Sequence, residues 1–241
     1  MAYLKDIRFF RERGADHLDI RRDCEHCTAK GSLAPTERLL WALREKPFQL
    51  DPDGKYDHLY LNFTTRLQEG QSQWIAELPV YSGQSNWYRY IDIGVSEEED
   101  RALRYGAGSG EWYLRQAVGA LTAHFCREEA DKAALVGLQE EILQKGEDFE
   151  VPYKTKESAA LRACLWVGIA DDLRICPHLR VTNQAGEAVL DKKMPRLPSF
   201  DFADQYGTIL LSKKRVTIRP RRNVFAQRMQ EIYIDIEKTE K

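Results

Sequence analysis

A chain of 241 residues, 43% hydrophobic and 31% charged, has the composition of a globular protein and excludes a disordered one. The net charge of -2 argues against a nucleic-acid coat that is basic throughout. No apolar run approaches the ~20 residues that span a bilayer.

The chain starts Met-Ala-Tyr-Leu-Lys-Asp, which has neither a secretory nor a transit-peptide composition. The five cysteines are scattered. They read as reduced thiols, and the expectation is a cytoplasmic protein with no membrane partner.

Leu4, Ile7 and Phe9 or Phe10 fall at helical spacing, so residues 3–12 predict a short amphipathic helix capped near Gly14. Pro35 opens a second helix, which Lys46-Pro47 stops. Asp51-Pro-Asp-Gly54 is a turn signal. Three strands follow: His58–Thr65, Gln73–Tyr81 and Asn86–Val95. Pro79 marks an edge or bulge in the second of these. The short loops predict antiparallel pairing in meander order.

Ser96 with Glu99 forms a capping box and opens a helical middle. Gly106-Ala-Gly-Ser-Gly110 leads into a helix with the stripe Leu114, Ala117, Val118, Leu121 and Phe125. A further helix carries Leu135, Leu138, Ile142 and Leu143 and ends at Gly146. The apolar run at 161–170 fits a helix or a strand. Asp172–Asn183 alternates as a strand, and Asn183-Gln-Ala-Gly186 turns it into a hairpin. Ile232, Ile234 and Ile236 suggest a final strand.

The expected fold is therefore α+β: an antiparallel sheet, a central helical segment and a second, mostly β C-terminal region. One unit over 1–241 is expected, with a candidate boundary at 146–155 dividing 1–150 from 151–241.

Gln205–Gln230 holds seven basic residues and no acid. Read as one strand, Leu210–Arg219 puts Lys213, Arg215 and Arg219 on one face, and Arg221 and Arg222 follow in a loop. If this strand joins Asp172–Asn183 in one sheet, Arg174, His178 and Arg180 extend the same basic face. Arginine forks suit carboxylates and phosphates alike. A solvated edge strand guarded by cations explains the same pattern without a partner.

Other constellations are weaker. Cys24-x-x-Cys27 supplies half a zinc site, and Cys176 and His178 are its candidate complement; unliganded thiols are the alternative. The glycine loop lacks the preceding strand of a dinucleotide site and the lysine of a phosphate-binding loop. His58, Tyr60, Glu77, Tyr88, Tyr90 and Asp92 share one sheet face that could line a pocket, or that helices could bury.

With no recognisable catalytic set, the chain reads as a non-catalytic binding protein that engages an acidic protein surface, in the manner of an inhibitor or immunity protein. The alternatives are a nucleic-acid-backbone binder with Tyr206 and Phe225 as nearby aromatics, and an enzyme using the tyrosine-rich face or a zinc.

Overall fold

A computed structural model of the chain describes residues 4, 6–12, 24–26, 33–45, 58–74, 88–106 and 108–236. The chain divides into two units, Met1–Gly146 and Glu147–Lys241. The expected α+β class is observed: in sequence order a mixed sheet is followed by helices and then by a sheet-rich C-terminal region.

The first unit contains β1 (Asp6–Glu12), β2 (Cys24–His26), α1 (Ala34–Glu45), β3 (His58–Thr64), β4 (Ser72–Trp74) and β5 (Tyr88–Gly94). Then come α2 (Glu97–Arg104), α3 (Gly110–His124) and α4 (Glu129–Lys145). Asp6–Glu12 is a strand, not the helix that the apolar spacing suggested. Burial follows a period of two: Ile7, Phe9 and Arg11 are buried, while Arg8 is exposed and Phe10 half-buried. Phe9 lies 4.8 Å from the Tyr113 ring and stacks on Phe63. Packing on one sheet face thus decides a segment that helical spacing also fits.

Sheet order is β2-β1-β3-β5-β4. β1 and β3 pair in parallel, as do β3 and β5, while β4 is antiparallel to the outer edge of β5. The meander is therefore not formed. Parallel neighbours need a long crossover, and the intervening segments containing α1 and β4 provide it. Leu59, Leu61, Phe63 and Ile91 are fully buried on one face. Each such side chain contributes about 1.5–3 kcal/mol of burial. Phe63 meets Trp112 at 4.7 Å between ring centroids, and Leu114, Ala117, Val118 and Leu121 form the buried stripe of α3.

The capping box forms as its residues predict. Ser96 Oγ accepts from the Glu99 amide, and the Glu99 carboxylate accepts from the Ser96 amide. Gly146 ends α4 at φ +53°, a conformation that side chains disfavour. The turn signal at 51–54, the cap at Gly14, the Lys46-Pro47 stop and Pro79 lie outside the described residues.

The second unit has an antiparallel sheet of β6 (Glu150–Glu157), β7 (Leu161–Ile169), β8 (Ile175–Asn183) and β9 (Ala188–Lys193), in that order. The ambiguous run at 161–170 is thus largely strand. It buries Ala163, Leu165, Val167 and Ile169, which alternate with Cys164 and Trp166. α5 (Ser199–Gln205) follows, with Phe202 and Tyr206 stacked at 4.8 Å and Tyr153 at 5.0 Å from Phe202.

A second sheet has the order β10 (Thr208–Leu211), β11 (Arg215–Arg219) and β12 (Ile232–Asp235). Leu210–Arg219 is therefore a hairpin and not one strand. The Ser212 amide donates to the Arg215 carbonyl at 2.9 Å, and Ser212 Oγ accepts from the Arg215 amide at 3.0 Å. Lys213 and Lys214 sit in the tight turn between them.

Candidate functional site

The two halves of the expected basic face lie in different sheets. Arg174 precedes β8, while His178 and Arg180 lie on it. Arg215 and Arg219 lie on β11, with Lys213 at the hairpin turn. The single-sheet premise is thereby corrected: the hairpin at Ser212–Arg215 returns the chain into its own three-stranded sheet.

Most of these cations already have acidic neighbours. Arg174 pairs with Asp172, whose carboxyl the bond holds below its ordinary value. Arg215 pairs with Asp235 at 2.6 Å and Arg219 with Glu231 at 2.9 Å, across the β11–β12 ladder or near its end.

His178 is 4% exposed and central to a network on one face of the four-stranded sheet. Its Nδ1 faces Glu150 Oε1 at 2.8 Å, and its Nε2 faces Asp191 Oδ1. Arg180 donates to Glu150 Oε2 at 2.7 Å and lies over the Trp166 ring. Glu150 pairs with Gly168 in the ladder, and Glu150 Cγ lies 3.6 Å from where a Cβ on Gly168 would be. The missing side chain leaves Glu150 a path over β7 towards β8.

This network decides the role of His178. Both ring nitrogens are occupied by carboxylates, so a metal ligated by His178 would have to displace Glu150 or Asp191. The Cys176 thiol is pushed up by burial and sits 3.9 Å from the Arg174 carbonyl. Cys27 and the side chain of Cys24 lie outside the described residues. Among the described residues no cluster of His, Cys, Asp and Glu is arranged to hold a metal.

Of the seven cations in Gln205–Gln230, five make no ion pair among the described residues: Lys213, Lys214, Arg221, Arg222 and Arg228. All five are exposed. The three arginines project from the segment 220–230 between β11 and β12, which is tied down from several sides. The Arg221 amide donates to the Asp204 carbonyl at 2.7 Å. Asn223 Nδ2 donates to Asp204 Oδ1, and Asn223 Oδ1 accepts from the Ala226 amide, both at 2.8 Å. Gln205 Nε2 donates to the Gln230 carbonyl. Gly207 lies so close that a Cβ there would be 2.6 Å from the Arg221 nitrogen.

A cleft of about 480 Å³ opens beside this loop, lined by Arg219, Arg221, Arg222, Thr208 and Glu231 among others. Lys154 reinforces the local positive charge. Its Nζ donates to the Tyr206 carbonyl at 2.7 Å and to that of Gly207. Burial, then the nearby Arg221 charge, lower its pKa. Of the two aromatics near the basic run, Tyr206 is buried in the core. Phe225 is 77% exposed and Val224 69%. The apolar pair within an arginine-rich loop was the readable signal of this surface, and charge counting passed over Val224.

In the first unit, His58, Tyr60, Tyr90 and Asp92 do share a face, through the parallel register that aligns Tyr60 with Tyr90 and Asn62 with Asp92. Tyr60 and Tyr90 meet edge-on at 5.0 Å, with the Arg8 guanidinium 5.5 Å from the Tyr60 ring. Asn62 donates to Asp92 at 2.7 Å, and both are buried. Sequence reasoning omitted Asn62, although it sits in the alternation. Glu77 and the side chain of Tyr88 are outside the described residues. Ser72 Oγ also lies 2.8 Å from His124 Nε2, a contact between distant residues that no motif announces.

Comparison with known protein families, with curated proteins and with solved structures gave no match. No described helix is long and apolar enough to cross a membrane.

Proposed function

We propose that the chain is a non-catalytic binding protein whose C-terminal unit engages an acidic protein surface. The supporting observation is the set of exposed cations at the hairpin turn and on the pinned loop that form no ion pair among the described residues. Arg174, His178, Arg180, Arg215 and Arg219 contribute less directly, because intramolecular carboxylates already offset their charge. A rigid display of arginine lowers the ordering cost of forming forked bonds to carboxylates.

Retention on poly-glutamate beads tests this reading. The wild type is retained, and Lys213→Glu with Arg221→Glu and Arg222→Glu is released at lower salt. Equal retention of the two proteins overturns it. Duplex DNA on parallel beads separates the nucleic-acid alternative, whose affinity falls steeply with salt.

A second reading, an enzyme working on the polar face of the mixed sheet, draws on the buried Asn62–Asp92 pair on parallel strands. Substitution Asp92→Asn with the fold intact and any assigned activity unchanged removes it.

A further inference from the structure

We infer that the loop 220–230 recognises an acidic peptide segment carrying a large apolar residue beside its carboxylates. This rests on the proposed binding of an acidic surface and names the chemistry of its recognition.

The loop places two kinds of group side by side. Arg221 and Arg222 precede Val224 and Phe225, and Arg228 follows them, all exposed. The neighbouring Ala226 is buried, and Asn223 is fixed to Asp204. The alternation is therefore anchored, and the apolar pair faces outward because its neighbours hold the backbone. Aromatic and arginine side chains supply most hot spots of protein interfaces. Arginine forks take carboxylates, and the Phe225 ring offers a face on which an aliphatic or aromatic side chain loses water.

Charge selects the occupant. Glu231 lines the cleft beside Arg221 and Arg222, and the Asp204 carboxylate lies behind Asn223. A phosphate backbone carries uniform negative charge past both acids. A peptide with separate carboxylates can place them on the arginines and an apolar group between. The chain's net charge of -2 adds no long-range pull on a polyanion.

Fluorescence anisotropy with three labelled probes tests this: a peptide alternating Glu and Leu, an all-Glu peptide of equal charge, and a single-stranded oligothymidylate. The Glu-Leu peptide is expected to bind about tenfold more tightly than the all-Glu peptide. Val224→Ser with Phe225→Ser removes that advantage and leaves all-Glu binding in place. Arg221→Glu with Arg222→Glu abolishes binding of both peptides. All four positions are exposed, and thermal melting verifies that each variant is folded. Equal affinity for the two peptides overturns the apolar anchor while the cationic reading stands. Peptide binding that survives arginine reversal, binding to neither peptide, or tighter binding of the oligothymidylate overturns both.

Discussion

Asn223 and Asp204 are joined by a 2.8 Å hydrogen bond from Nδ2 to Oδ1, and the other end of the same amide accepts from the backbone of Ala226. One side chain thus fastens the loop to the C-terminal end of α5 and closes its turn. Asn223→Ala is expected to cost about 1 kcal/mol of stability. Its larger effect is on recognition: acidic-peptide affinity falls although every arginine remains. Hydrogen exchange at Ala226 and Met229 accelerates in the same variant. Unchanged exchange and affinity would show that the loop does not depend on this bond.

Gly207→Ala probes the same loop from beneath. The added methyl would sit 2.6 Å from the Arg221 nitrogen and 2.7 Å from the Pro220 carbonyl carbon, so backbone must move. A loss of about 1–3 kcal/mol is expected in urea denaturation. A neutral result would mean that the loop shifts freely.

The His178 network carries a stability prediction with a pH sign. His178→Ala leaves Glu150 half-enclosed with one partner fewer, and is expected to cost about 1–3 kcal/mol. The His178 bond holds the Asp191 carboxyl below its ordinary value of 3.8. A carboxyl depressed by folding contributes stability above its unfolded value and loses it as pH falls through the folded one. Asp191→Asn should therefore lower stability at neutral pH and flatten the acid transition below pH 3.8. An acid transition of unchanged slope would contradict this.

His124 has the opposite chemistry. Burial lowers its pKa from the ordinary 6.5, so the folded chain resists protonating it. The unfolded chain then binds more protons, and stability falls as pH drops through 6.5 towards the folded value. His124→Gln removes this slope while retaining a partner for Ser72. Melting temperature against pH measures it. An NMR titration of the His124 ring with a midpoint at or above 6.5 would sink the prediction.

Local chemistry was legible in the residues, and long-range pairing was not. The Ser96–Glu99 box and the Leu114–Phe125 stripe depend on neighbours in sequence, and both formed as read. Asp6–Glu12 reads as a helix because Leu4, Ile7 and Phe10 fall at helical spacing, while Ile7 and Phe9 equally fit a strand's alternation. The hairpin at Ser212–Arg215 was hidden because its turn has no Gly, Pro or Asn; the Ser212 hydroxyl does their work. The basic face looked unbroken for a related reason. Its acidic partners Glu150, Asp191 and Asp235 arrive from other strands, and Glu231 from the residue before β12. Among the cations left without an ion pair in the described residues is the loop pair Arg221 and Arg222, visible in the sequence, with Val224 and Phe225 between them and Arg228.

The central claim is tested most directly by amide chemical-shift mapping of the full chain with the Glu-Leu peptide. Perturbations are expected to cluster at residues 221–228, and to vanish with Arg221→Glu and Arg222→Glu. Perturbations confined to His58–Thr64 and Tyr88–Gly94, or a peptide that shifts no resonance, would contradict the account.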